Sequence, residues 1–191
     1  MSEVVLFHHV QGLTDGVAAL AQRWAEAGHT VHVPDLFEGR RFDSIEEGFA
    51  HVQGLGGFGQ VGVLAEQAVA DLPTDIVYAG ISMGVVPAMH LAATRPGARA
   101  GVLLEAFVSP DDIGPWPADA PVQVHGMDGD EFFAHEGDLE AARAFAASHD
   151  DVEVFTYPGS GHLFVDSALT SYDADATALV TERVLGLLDR L

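Results

Sequence analysis

The sequence predicts an α/β fold with a doubly wound, mostly parallel sheet of about six strands and helices on both faces. Three observations lead there. Short runs rich in valine, isoleucine and aromatic residues alternate with longer segments of helical period, the signature of a parallel sheet with helical crossovers. The short runs show little apolar–polar alternation, as strands covered on both faces should. Hydrophobic residues make up 48% of the 191 positions, enough to bury the core of one domain. No internal repeat, low-complexity tract or linker interrupts residues 1–191, so a single domain is expected.

The strand-like runs are EVVLFHH (3–9), TVHVP (30–34), DIVYAG (75–80), AGVLLEA (100–106), VQVHG (122–126) and VEVFTY (152–157). Helical patterns fill 14–27, 44–53 with 58–71, 84–94, 137–148 and 173–190. Thr14 and Ser44 suit N-caps, because a side-chain oxygen there accepts a free main-chain N–H. Gly28 and Pro96 suit helix stops.

Composition excludes several function classes. The 29 acidic residues outnumber the 8 basic ones, all of them arginine, giving a net charge of −21. Such a surface repels nucleic acid and anionic membranes. Without cysteine there is no disulfide, thiolate metal site or cysteine nucleophile. No apolar run approaches the roughly 18 residues of a membrane span, and the first residues lack the basic flank of a secretory signal. A cytoplasmic protein is expected. The glycine-rich GLGGFG at 54–59 matches a dinucleotide fingerprint in form only, since the residues before it read as helix rather than strand. It reads better as a break between two helical pieces, and no cofactor is expected.

The chemistry gathers at the strand ends, where open parallel sheets place ligands. The third strand runs into Gly80-Ile81-Ser82-Met83-Gly84. This is the G-x-S-x-G nucleophile elbow, whose tight turn leaves the serine Oγ exposed above the sheet, before a helix N-terminus. The fifth strand ends in His125-Gly126-Met127-Asp128-Gly129-Asp130, and the sixth in Tyr157-Pro158-Gly159-Ser160-Gly161-His162. Serine, acid and histidine thus follow successive strands in the order of an α/β-hydrolase. His162 would activate Ser82, and a carboxylate would hold the imidazole tautomer. Asp130 rather than Asp128 is the expected acid, because Phe132 and Phe133 can pack under the loop beyond Gly129. Met83 N–H and Val10 N–H, the latter in the loop after the first strand, are the expected oxyanion donors. Each residue also has a plainer reading: the aspartates as turn residues, His162 as a loop residue.

The segments VLFHHVQGLTDGV, GHTVHVPDLFEGR, GISMG, HGMDGDEFF and YPGSGHLF together resemble the dienelactone hydrolase family of α/β-hydrolases, over nearly the whole chain. The resemblance implies Ser82 as nucleophile, Asp130 as acid, His162 as base, and the Val10 and Met83 amides as the oxyanion hole. It implies hydrolysis of a small ester or lactone through an acyl-enzyme, with no cofactor and no metal. Two departures stand out: Ser82 where well-known members carry cysteine, and His9 where they carry the glutamate that controls the thiol. A thioesterase, or a binding protein on the same fold, is the competing expectation.

Around this core, His9, Gln11, Trp116 and Arg40 are the substrate-contact candidates. Of His8 and His9, one is expected to line the pocket and the other to be buried. Their opposed directions in a strand make joint metal ligation awkward. Arg40 and Arg41 sit in the loop after the second strand and could receive an anionic substrate. Glu105 is expected at the rim. The connection from Phe107 to Pro121 is too short for a helical cap, so the pocket should be shallow, with Trp116 on its wall.

Overall fold

In the computed structural model, which describes residues 1–117 and 119–191, six strands form one all-parallel sheet. They are β1 (Glu3–Phe7), β2 (Thr30–His32), β3 (Val77–Ile81), β4 (Ala100–Leu104), β5 (Val122–Met127) and β6 (Val152–Tyr157), in the spatial order β2-β1-β3-β4-β5-β6. The helices are α1 (Asp15–Glu26), α2 (Ile45–Leu55), α3 (Phe58–Ala68), α4 (Val85–Thr94), α5 (Pro110–Ile113), α6 (Glu131–His135), α7 (Asp138–Ala146) and α8 (Ala174–Leu188). Among the described residues no helix is long and apolar enough to cross a membrane.

The four central strands, β1, β3, β4 and β5, bury both faces, which explains their unbroken apolar runs, whereas the edge strands β2 and β6 stay partly exposed. Val4 and Leu6 of β1 and Val77 and Ala79 of β3 pack with Trp24 of α1 and Val180 and Val184 of α8. Val5, Phe7 and Tyr78 point the other way, onto Val52, Val61 and Ala65 of α2 and α3 and Leu91 of α4. The caps follow the side-chain chemistry. Thr14 Oγ1 accepts from Val17 N at 3.1 Å, and Ser44 Oγ accepts from Glu47 N at 3.2 Å.

Two boundaries differ from expectation in ways that matter. β1 stops at Phe7, so His8 and His9 leave the sheet, and β4 stops at Leu104, so Glu105 does too. The short helices α5 and α6 went unseen because four or five residues cannot display a helical period. After β1 the chain steps outward to β2 and then returns to β3. That reversal opens a crevice beyond the carboxyl ends of β1 and β3, where a ligand is expected to bind.

Candidate active site

Ser82 follows β3 with φ +49°, a left-handed conformation that a side-chain-bearing residue rarely adopts and that the surroundings must hold in place. The two flanking glycines make the turn possible. A Cβ on Gly80 would strike the Gly84 carbonyl, and one on Gly84 would strike the carbonyl of Phe7 at the end of β1. The elbow therefore abuts β1 and delivers its hydroxyl into the crevice. Ser82 Oγ lies 2.9 Å from His162 Nε2. His162 Nδ1 lies 2.7 Å from Asp130 Oδ2.

Asp130 is fully buried and also caps α6, accepting from Phe132 N through Oδ1 at 3.0 Å. Its Oδ2 is thus left for the imidazole. Phe133 lies against Gly126, fixing the turn from beneath, while the Phe132 ring rests on His162 with centroids 4.7 Å apart. Asp128 is exposed and accepts from Gly159 N at 3.2 Å, joining the β5 and β6 loops. Burial works against the charged form of His162, but the Asp130 hydrogen bond and the charges of Glu105, Asp130 and Asp138 outweigh it and raise its pKa above 6.5.

The loop after β1 is held by both of its histidines. The hydrogen-bond partners fix each tautomer, since a main-chain N–H only donates and a carbonyl only accepts. His8 donates from Nδ1 to the His9 carbonyl at 2.8 Å and accepts from Leu36 N at Nε2. Its burial lowers its pKa to about 4, so it stays neutral. His9 accepts from Gln11 N at Nδ1 and donates from Nε2 to Asp166 Oδ2 at 2.7 Å. The His9 carbonyl also accepts from Gly12 N at 3.0 Å. The trans peptide sets Val10 N–H opposite that carbonyl, and the N–H meets no acceptor among the described residues. Met83 N–H belongs to the first helical turn after the elbow, whose donors lack intrahelical acceptors.

Ser82 and His162 open on a cleft of about 200 Å³ walled by Phe49, Phe58, Phe107 and Phe132, with Glu105, Glu136 and Asp138 among its lining. Beyond His162 a broader groove of about 730 Å³ runs past Gln11 and Arg41. Arg41 is paired there with Asp15 at 2.8 Å.

Three of the substrate-contact candidates lie elsewhere. His9 is fully buried and paired with Asp166, so it lines no cavity, and His8 is buried as well. Trp116 packs on Gly101, at the start of β4, and donates to the Ala120 carbonyl at 2.7 Å. Ser82 follows the end of β3, so the indole sits at the opposite edge of the parallel sheet. Arg40 borders a separate depression with Leu36, His51 and Leu64. Gln11 does reach the groove beside His162, but its amide donates to the Phe42 carbonyl at 2.9 Å. Glu105 is not at the rim: it is 1% exposed and lies deep beside His162.

Sequence reasoning missed Asp166, the His9 partner, and the aromatic wall of the cleft. The wall had one visible signal. The GLGGFG segment, expected as a break between two helical pieces, joins α2 to α3 through Gly56 and Gly57, with φ of +117° and +84°, and sets Phe58 at the cleft. It continues directly from α2 rather than from a strand.

A family model described as "Dienelactone hydrolase family" matches residues 1–191. The chain belongs to the dienelactone hydrolase family. Among solved structures, it resembles a dienelactone hydrolase-like promiscuous phosphotriesterase from metagenomic libraries, with 20% identity and a TM-score of 0.75, covering 100% of this chain and 87% of the other. A Klebsiella pneumoniae subsp. pneumoniae protein assigned to the dienelactone hydrolases matches with 19% identity and TM-score 0.75, covering 100% and 88%. The esterase PE8 matches with 19% identity and TM-score 0.66, covering 98% and 93%. At these identities the likeness establishes a shared fold. None of the curated proteins matches at the sequence level. As a dienelactone hydrolase family member, the chain departs from the expected glutamate at His9 in a specific way. The position is occupied by a buried imidazole that holds the loop rather than by a group facing the nucleophile.

Proposed function

We propose that this protein hydrolyses small, uncharged carboxylic esters or lactones through a Ser82 acyl-enzyme. The observation that carries the reading is the continuous hydrogen-bonded chain from Ser82 Oγ through His162 to Asp130, opening on a small aromatic cleft. Ser82 Oγ attacks the ester carbonyl while its proton passes to His162 Nε2, and Asp130 stabilises the imidazolium. Val10 N–H and Met83 N–H receive the tetrahedral oxyanion, a donor of this kind being worth about 10²–10³ in turnover. Collapse expels the alcohol, which takes the proton from His162. Water, deprotonated by the same imidazole, then attacks the acyl-enzyme and releases the acid.

Cleft size and charge narrow the substrate. A volume of about 200 Å³ suits acyl groups of a few carbons. Three carboxylates line the cleft, and no arginine does. A substrate bearing its own carboxylate would be repelled there. A neutral p-nitrophenyl acetate or butyrate is therefore the substrate of choice. Turnover of these esters, and labelling by a fluorophosphonate, should both vanish in Ser82→Ala while its thermal stability stays close to wild type. Because the base acts when neutral and its pKa is raised, kcat/KM should climb with pH through a midpoint above 6.5. Persistence of wild-type turnover in Ser82→Ala would remove the nucleophile.

A further inference from the structure

Glu105 is a buried carboxyl that the reaction above leaves unused. It follows the end of β4 with φ +64°, a strained backbone for glutamate, and that turn carries its side chain to the Ser82–His162 cleft. Oε1 accepts from Val165 N at 3.2 Å. Leu163 is held at φ +63°. Oε2 is buried and meets no donor among the described residues. Such a group costs stability unless something else requires it. The segment it ties down begins immediately after His162.

We propose that Glu105 is a positioning residue for His162: it anchors the histidine loop through the Val165 N–H group and presents the imidazole with a second carboxylate beside Asp130. The inference rests on the reading of His162 as the catalytic base. The charged groups facing His162 are Asp130 from the β5 loop, Glu105 from the end of β4 and Asp138 from α7, with Ser82 as its hydroxyl partner. Glu105 in turn faces His162 and Asp130. Burial, only partly offset by the charge of His162, raises its own pKa to about 7. Ionised Glu105 favours the imidazolium, so removing its charge lowers the pH at which His162 becomes a base.

The test compares wild type with Glu105→Gln and Glu105→Ala by NMR titration of the labelled His162 ring and by pH profiles on p-nitrophenyl acetate. Gln keeps an acceptor for Val165 N–H but carries no charge. In E105Q the His162 midpoint should fall by about half to one pH unit, and the acidic limb of kcat/KM should move with it. In E105A the anchor is lost as well, and plateau kcat should drop at least about tenfold below that of E105Q, with KM little changed. A purely structural glutamate would not move the limb. An E105Q midpoint within about 0.1 unit of wild type would overturn the electrostatic role. An E105A plateau equal to that of E105Q would overturn the anchoring role. The NMR arm needs no turnover, so a wild type inactive on esters would refute the hydrolase reading while leaving Glu105 to be decided by titration.

Discussion

His9 Nε2 donates to Asp166 Oδ2 at 2.7 Å, and both residues are fully buried. Asp166 also accepts from Thr14 Oγ1 at 2.5 Å and, through Oδ1, from Ala168 N at 2.8 Å. Burial opposes its charge, but the hydrogen bonds from His9, Thr14 and Ala168 outweigh that and lower its pKa. One carboxylate thus joins the loop after β1, the cap of α1 and the loop that follows His162.

Removing that carboxylate should be severe. Asp166→Ala would strand an imidazole N–H, a hydroxyl and a main-chain N–H, each costing about 1–3 kcal/mol when buried unpaired. A loss of at least about 3 kcal/mol in urea unfolding is expected, with Asp166→Asn milder because it keeps an acceptor. As the loop bearing Val10 loosens, kcat should fall more than KM rises. A stability loss below about 1 kcal/mol for Asp166→Ala would show that the network is dispensable.

The two aspartates after β5 should separate cleanly. Asp130 meets His162 Nδ1, whereas Asp128 only joins two turns. Asp130→Asn should lower turnover by several orders of magnitude, since an amide favours the wrong imidazole tautomer and the cost of such a change reaches about 10⁴. Asp128→Asn should lose less than about tenfold. Steady-state kinetics on a neutral ester distinguishes them, and the opposite ranking would move the acid to Asp128.

Acyl-chain preference should depend on Phe58. The residue is 39% exposed, and its ring packs at 6.3 Å on Phe49 and walls the Ser82 cleft. Phe58→Ala should cost under about 1 kcal/mol of stability, because little of the ring leaves the core. It should also raise hexanoate turnover relative to acetate several-fold. An unchanged ratio would place the acyl group elsewhere.

Glu105 also sets a pH dependence of stability. Its folded pKa of about 7 stands above the ordinary 4.5, so the stability it permits is complete below pH 4.5 and is lost as pH rises through 7. Glu105→Gln escapes this loss. The Tm difference between variant and wild type should therefore grow between pH 4.5 and pH 8, reaching several degrees on the basis of about 2–4 °C per kcal/mol. A difference independent of pH would mean that the folded pKa of Glu105 is not raised above its unfolded value.

Much of the site was legible in the residue order because parallel strands place their carboxyl ends on one edge. Any polar residue just past an apolar run is thereby brought near the others, whatever the distance along the chain. Ser82, Asp130 and His162 were readable for that reason, as were the glycines whose missing Cβ atoms let the elbow close on β1. Contacts that depend on how far a strand runs, or on where a loop lies across the surface, were not. β1 ends at Phe7 rather than at residue 9, and that difference takes His9 from the pocket to a partner 157 residues away. β4 ends at Leu104, which turns Glu105 under the histidine loop instead of toward the rim. Trp116 follows the path of its connection back to the start of β4, because the gap above Gly101 accepts an indole there. Local pattern records what a residue is and which element carries it. Burial and partnership arise from packing between elements, where a shift of a single residue reverses the direction in which a side chain points.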